Sequence, residues 1–516
     1  MMDRRGFLLL LSGLAGCSVA TSRPETAERT VEFPVVIRGG RVIDPGQGLD
    51  AFMDLAIDGA RVAAIGPDLR GRIALDATGC VVAPGFIDLH SHAQSVGAHR
   101  LQAFDGVTTT LELEAGAFPV AAVYARAGVE GRPLNYGYSA SWAGARIEVL
   151  VGHRSEPRAT AMLARFADPA WQQEATGAEE DRILGLLESE LAAGALGIGV
   201  LLGYAAGTSP GEYLRVARLA AARRLPTYTH ARALVEFAPD TPMDGAEELV
   251  RAAVETGAHM HYCHVNSTSA RHVDRVLALV DRVRRAGAVV TTEAYPYGAG
   301  MTMIGAAFLA PERLAQAGLR PTDLVYAPAN ERVRDAEHLR RLRATDPGGG
   351  CIIHFLDETK PADAALIRAA LVHEDTMVAS DAIPLTGISP AGDWAWPLPP
   401  GARTHPRIAG TFARSFRRLV EEGALSLPEF VRRASLLPAG VLATAVGGTA
   451  RKGTLAVGAD ADVVVFEPGA FRDQATYEVP TRPSTGVRHL VVGGESVIRD
   501  GALELYARPG RPLRRS

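Results

Sequence analysis

Cysteine is scarce: the 516-residue chain has four, at positions 17, 80, 263 and 351. Their wide spacing, with an odd number left once Cys17 is set aside, excludes a disulfide framework, so Cys80, Cys263 and Cys351 are expected as buried free thiols. An excess of one charge is also missing. The 54 basic and 58 acidic residues leave a formal net charge of −4, which gives no electrostatic reason to expect a nucleic-acid partner. Beyond the N-terminus no stretch reads as a bilayer span. A nucleotide loop is absent as well: residues 194–199 (GALGIG) have neither the order nor the spacing of GxGxxG and open no helix. What remains, 47% hydrophobic and 22% charged, is ordinary globular composition, and the length suits one large barrel with a smaller domain.

The N-terminus reads as a leader. Arg4-Arg5-Gly6-Phe7-Leu8 is a twin-arginine pattern, a short apolar run follows, and Leu14-Ala15-Gly16-Cys17 fits a lipobox. Residues 1–17 are therefore expected to be an export signal, with Cys17 as the lipid-bearing first residue of the mature chain. Residues 18–30, rich in Ser, Thr and Glu, suit a tether. The expected location is the periplasm or cell surface, with membrane contact only through the lipid.

Short alternating runs at 35–37, 41–43, 55–57 and 61–65, punctuated by Gly and Asp turns, predict a small β domain. Apolar strand-like runs follow at 108–114, 135–139, 196–201, 226–230, 259–264, 289–293, 352–355 and 376–380. Helical stretches at 179–193, 210–224, 245–256 and 269–286 lie among them. Repeated β-then-α units over this length predict an α/β fold, a (β/α)8 TIM-like barrel, with a doubly wound open sheet as the alternative. Helices at 426–434 and 439–445 precede returning strands at 462–466 and 489–492. The expected division is a composite β-sandwich from 31–83 and 446–502, a barrel domain with C-terminal helices at 84–445, and a loose tail at 503–516.

A barrel carries its chemistry at the C-terminal ends of its strands. His90 and His92 close the first, one residue apart and so on one strand face. Glu112 and Glu114 close the second with like parity, His230 and His264 close later strands, and Asp381 follows the last. Four histidines and two or three carboxylates at successive strand ends outline a two-metal site. If His264 points inward along its strand, His261 and Cys263 face the helices as packing residues.

Several motifs then point to one family. The chain carries VVIRGGRVID at 35–44, PGFIDLHSH at 84–92, GVTT at 106–109 and AGALGIGVLLGYAAG at 193–207. It continues with THAR at 229–232, AYPY at 294–297, Ser380-Asp381, His405-Pro406-Arg407, GTF at 410–412 and KGTLAVGADADVVVFEP at 452–468. This ordered series resembles the amidohydrolase superfamily and, within it, the D-aminoacylase group of N-acyl-D-amino-acid deacylases. The resemblance implies a zinc-dependent barrel capped by a β-sandwich, and a metal-activated hydroxide attacking an amide carbonyl. It assigns His90 and His92 to one metal and His230 and His264 to the other. Asp381 would bind the first metal and act as general base and then acid.

Two departures stand out. The group places a cysteine ligand shortly after GVTT, where this chain has Ala115. Glu114 is the expected substitute, a carboxylate bridging two zinc ions, with Glu112 behind it. Where relatives carry a basic residue two positions after the fourth histidine, this chain has Asn266. Arg232 is a candidate to grip a substrate carboxylate or a structural one, and Tyr204 and Tyr297 are candidates for the mouth, as carbonyl hydrogen-bond donors or as packing. The expected function is hydrolysis of a linear amide, an N-acyl (D-)amino acid. The alternatives are a cyclic-amide, dipeptide or ester hydrolase of the same superfamily, or a catalytically inactive lipid-anchored binding protein.

Overall fold

The computed structural model describes residues 32–154, 156, 165–166, 168–447 and 451–515. The twin-arginine run, Cys17 and the tether lie outside them. Among the described residues no helix is long and apolar enough to cross a membrane.

The chain starts with β1 (Glu32–Asp44), β2 (Leu49–Asp58), β3 (Arg61–Gly66), β4 (Arg70–Asp76) and β5 (Val81–Pro84). It returns to the same sheet at its far end with β18 (Val463–Phe466), β19 (Val487–Val492), β20 (Glu495–Arg499) and β21 (Ala502–Leu503). The join is the antiparallel pairing of β18 with β5, Val463 opposite Pro84 and Val465 opposite Val82. Both strands are apolar at every position, as strands covered on both faces must be. Alternation then sorts their side chains: Val464 and Phe466 pack with Phe86, Phe412 and Phe416, while Val463 and Val465 pack with Val42, Ile57 and Val82.

The barrel takes β6 (Phe86–Asp88), β7 (Val107–Ala117), β8 (Asn135–Ser141), β9 (Ile198–Leu201), β10 (Thr227–His230), β11 (Met260–Tyr262) and β12 (Val290–Ala294). Its last strand is β17 (Thr376–Val378), and all eight lie in one parallel sheet in chain order. Asp88 brings the last strand to the first: it accepts from the Ser380 backbone N–H at 2.9 Å and from Ser380 Oγ at 2.5 Å. A parallel bridge from Ser91 to Ala382 continues that contact one step further out. The helices between strands end as their sequences direct. Thr176 and Glu179 form a capping box at the start of Gly177–Ala192, and Asp244 caps Gly245–Thr256. Gly199 is required by close approach, since a Cβ there would sit 2.3 Å from the Glu114 carbonyl oxygen and 2.5 Å from that of Leu113.

Two expectations are corrected. The run at 352–355 is not a barrel strand. It belongs to an antiparallel sheet of β13 (Ala299–Met303), β14 (Leu324–Tyr326), β15 (Glu331–Arg332) and β16 (Gly350–His354), inserted between β12 and β17. A short apolar run has no periodicity that separates a barrel strand from a hairpin strand. The terminal residues are not a loose tail either. Leu513 is buried, donates its N–H to the Tyr136 carbonyl and accepts from the Tyr124 hydroxyl, and the Arg514 guanidinium lies over the Tyr124 ring. The contacts fall at the start of β8, at the barrel end opposite the strand ends that carry the site.

Candidate metal centre

Four side chains meet where β6, β7 and β17 end. His90 Nε2 and His92 Nε2 are 3.2 Å apart. Glu114 Oε2 lies 3.2 Å from the first and 3.4 Å from the second, and Asp381 Oδ1 lies 3.4 and 3.5 Å from them. Metal–ligand bonds of 2.0–2.1 Å in a tetrahedron require ligand separations of about 3.3–3.4 Å. The other Glu114 oxygen serves a second group: Oε1 is 3.0 Å from His230 Nδ1 and 2.7 Å from His264 Nε2. One carboxylate thus faces a histidine pair with each of its oxygens, and Glu114 itself is buried.

The electrostatics call for cations. Glu112, Glu114, Glu293 and Asp381 are all buried here, and Arg407 is the buried arginine beside them among the described residues. Unpaired buried carboxylates are costly, so such a cluster suits metal ions. Burial alone pushes the Glu114 carboxyl up, but His90, His264 and His230 outweigh it and hold it well below the ordinary range. Burial is likewise overcome at Asp381, where Arg407 and His90 hold the carboxyl low. At His90 the sign reverses: desolvation disfavours the imidazolium, yet Glu114, Asp381 and Glu293 raise it well above its usual value.

A second layer fixes the ligands. His92 Nδ1 is 2.8 Å from Glu112 Oε2, so Glu112 stands behind a ligand rather than among them. His90 Nδ1 is 2.5 Å from Glu293 Oε1, and His261 Nε2 is 2.9 Å from Glu293 Oε2. Such carboxylate partners set the imidazole tautomer and aim the other nitrogen at the metal. Gly203 makes room for His230, because a Cβ there would sit 2.5 Å from that ring.

His261 and Cys263 do not face the helices, where strand parity would place them. β11 ends at Tyr262, and His264 leaves it in a left-handed conformation, with φ of 32°. His264 therefore owes its inward aim to the turn. His261 and Cys263 face the barrel interior, where Cys263 lies near His90 and Glu293. Asp381 is a second site residue with positive φ, at 49°.

The three substrate candidates fare differently. Tyr204 lines the cavity above the cluster, its ring 4.9 Å from that of His230 and its hydroxyl 2.8 Å from Thr302 Oγ1. Arg232 is corrected: its guanidinium grips Glu248 with Nε at 2.8 Å and Nη2 at 3.1 Å, and the carbonyls of Ala206 and Thr208 take further donors. Its carboxylate partner is internal because the turn leaving β10 leads into the helix that carries Glu248. Tyr297 is corrected too, being sealed behind the site against Arg414 and His405. Tyr295, two residues earlier, lines the cavity in its place, held by Asn266 through its backbone N–H and carbonyl.

Asp88, Tyr295 and Arg407 lie in the motifs quoted above without a role assigned to them there, and Glu293 lies in none. Glu293 ended an expected strand, and that was the one available signal for it. Arg407 follows Pro406 at the start of helix Arg407–Phe416. Its Nη2 lies 3.0 Å from Asp381 Oδ2, its guanidinium stacks 4.8 Å over Tyr295, and its nitrogens have no aligned hydrogen-bond acceptor.

Comparison with known proteins agrees with this arrangement. The amidohydrolase family model matches residues 74–498. An N-acyl-D-glutamate deacylase of Alcaligenes xylosoxydans xylosoxydans is 33% identical over 94% of this chain and 97% of its own length. A D-aminoacylase of the same organism is 28% identical over 91% of this chain and 95% of its own. Among solved structures, the N-acyl-D-glutamate deacylase of Bordetella bronchiseptica, complexed with zinc and a phosphonate inhibitor, superposes with a TM-score of 0.73. It is 27% identical, over 94% of this chain and 100% of that one.

Proposed function

The chain belongs to the amidohydrolase family, and from that premise we propose that it is a zinc-dependent hydrolase that removes the acyl group from N-acyl-D-amino acids. The observation that carries this reading is Glu114, whose two oxygens each face a histidine pair, with Asp381 beside one of them. His90, His92, Glu114 and Asp381 would hold one zinc ion, and Glu114, His230 and His264 a second. Bound zinc makes a water acidic near neutral pH and polarises the amide carbonyl.

Asp381 accepts the proton of the attacking water and returns it to the leaving nitrogen, so it changes from base to acid within one turnover. Arg407, buried behind Tyr295 with its charge against Asp381 and its donors unused, suits the substrate carboxylate once Tyr295 moves aside, since a planar guanidinium binds a carboxylate in bidentate fashion. Arg232 does not suit that role, since Glu248 already occupies it. The D configuration rests on the relatives' activities.

The decisive experiment combines zinc analysis with turnover of matched N-acetyl-D- and N-acetyl-L-amino acids. Two zinc ions per chain and turnover of the D series support the reading. Turnover confined to cyclic amides or esters would replace it, and no turnover by fully zinc-loaded protein would favour a binding role. Export through Arg4-Arg5 and lipid attachment at Cys17 are proposed on the leader sequence. A Cys17→Ala variant is then expected in the released rather than the membrane fraction, and an unchanged distribution would remove the anchor.

A further inference from the structure

A cavity of about 880 Å³ opens from the carboxylate–histidine cluster. That is near the upper end for pockets holding drug-sized ligands, whereas an N-acetyl amino acid has only about a dozen heavy atoms. One wall is aromatic and begins at a ligand. The Tyr204 ring is 4.9 Å from that of His230, and it lies 5.2 Å from Phe166 and 5.5 Å from Phe308, all of them cavity-lining. The Tyr204 hydroxyl is occupied by Thr302, so the ring offers the cavity chiefly apolar surface.

Two guanidinium groups along the cavity are matched by carboxylates of the protein itself, while Arg313, half-exposed at its rim, lies 3.9 Å from Asp240. Arg232 is bidentate on Glu248, and Arg271 is bidentate on Asp363 at 2.5 and 2.9 Å. A substrate group travelling along the Tyr204, Phe166 and Phe308 rings therefore gains by being apolar.

The direction of travel follows from the roles above. Asp381 returns its proton to the leaving nitrogen, so the amino-acid half lies on the Asp381 and Arg407 side. The acyl carbon then faces His230 and His264, and the chain attached to it departs beside Tyr204. We propose that the substrates are N-acyl amino acids with long, unbranched apolar acyl chains, seated along Tyr204, Phe166 and Phe308. This rests on the deacylase reading and adds the acyl class to it.

Each methylene buried along such a wall is worth roughly fourfold in binding. The test uses the zinc-loaded enzyme and one D-amino acid acylated in turn with acetyl, butanoyl, hexanoyl and octanoyl groups. Expected is a kcat/KM that climbs at least tenfold from acetyl to octanoyl. A flat or falling series with the acetyl compound still cleaved overturns the inference and leaves the deacylase reading intact. If no member is cleaved, the deacylase reading itself falls. A Phe308→Gln variant should lower the octanoyl-to-acetyl ratio severalfold. An unchanged ratio, in a variant with native circular dichroism, would remove the aromatic wall as the acyl site.

Discussion

Glu293 Oε1 lies 2.5 Å from Nδ1 of His90, on the far side of the imidazole from the metal-facing nitrogen. Its other oxygen is tied to His261, so the carboxylate is fixed between two buried rings. Burial would push that carboxyl up, but the two histidines outweigh it and keep it ionised. An ionised partner raises the basicity of His90 and fixes its tautomer. Glu293→Gln keeps the shape and removes the charge, so zinc affinity should fall about 10–100-fold with the fold retained. Competition against a chelator reads the affinity, and an unchanged value would reduce Glu293 to packing.

Glu114 faces both histidine pairs. Glu114→Ala should lower zinc from two ions per chain to one or fewer and reduce kcat by at least about 10²-fold. Glu114→Asp is the sharper variant, because its shorter side chain retains the charge but cannot reach both pairs. Metal analysis decides: two tightly held ions in Glu114→Ala would end the bridging assignment.

Asp381→Asn tests the proton carrier. An asparagine still offers an oxygen toward His90 and His92 but cannot accept a proton at neutral pH. The expected loss in kcat is about 10²–10⁴-fold, with zinc content close to that of the parent protein. Hydrolysis at the parent rate would assign the base elsewhere.

The site was legible in the sequence where local periodicity sufficed. His90 with His92, and Glu112 with Glu114, share strand faces at a spacing of two residues; the two imidazoles meet, and each glutamate reaches a histidine of that pair. His264 was found for a reason that did not hold: its strand stops two residues earlier, and a left-handed turn, invisible to parity, aims the ring. Arg407 lies in the His405-Pro406-Arg407 motif, but it reaches Asp381 from the start of the helix after the last barrel strand, a contact no local periodicity shows. For Arg232 and Tyr297 the sequence leaves the choice between substrate and structural partner open for a related reason. Whether a guanidinium or phenol faces solvent or another side chain depends on partners such as Glu248 and Arg414, distant in the chain. The barrel followed from repetition, whereas the inserted sheet of β13–β16 used the same apolar vocabulary as barrel strands.

Asp105 predicts how stability follows pH away from the metals. It ends the helix Val96–Phe104 and accepts from the backbone N–H groups of Phe412 at 2.7 Å and Ala413 at 2.9 Å, and from Ser484 Oγ at 3.0 Å. One buried carboxyl thus joins the barrel, the helix Arg407–Phe416 and the segment leading into β19. Burial raises it to about 7, since its hydrogen bonds offset only part of the desolvation and Asp473 adds repulsion. In the unfolded chain an aspartate titrates near 4. Between about pH 4 and pH 7 the folded protein therefore keeps a proton that the unfolded chain has released, and stability falls as pH rises through that window. At 1.36 kcal/mol per pH unit the contribution is of order 4 kcal/mol at most, fully present below about pH 4 and lost above about pH 7. Asp105→Asn mimics the protonated carboxyl and cannot ionise. Thermal unfolding at pH 5 and pH 8 should show the parent protein losing a few degrees more than Asp105→Asn over this interval. Parallel losses in the two proteins would mean that Asp105 is already ionised in the fold at pH 5, with its three donors outweighing burial.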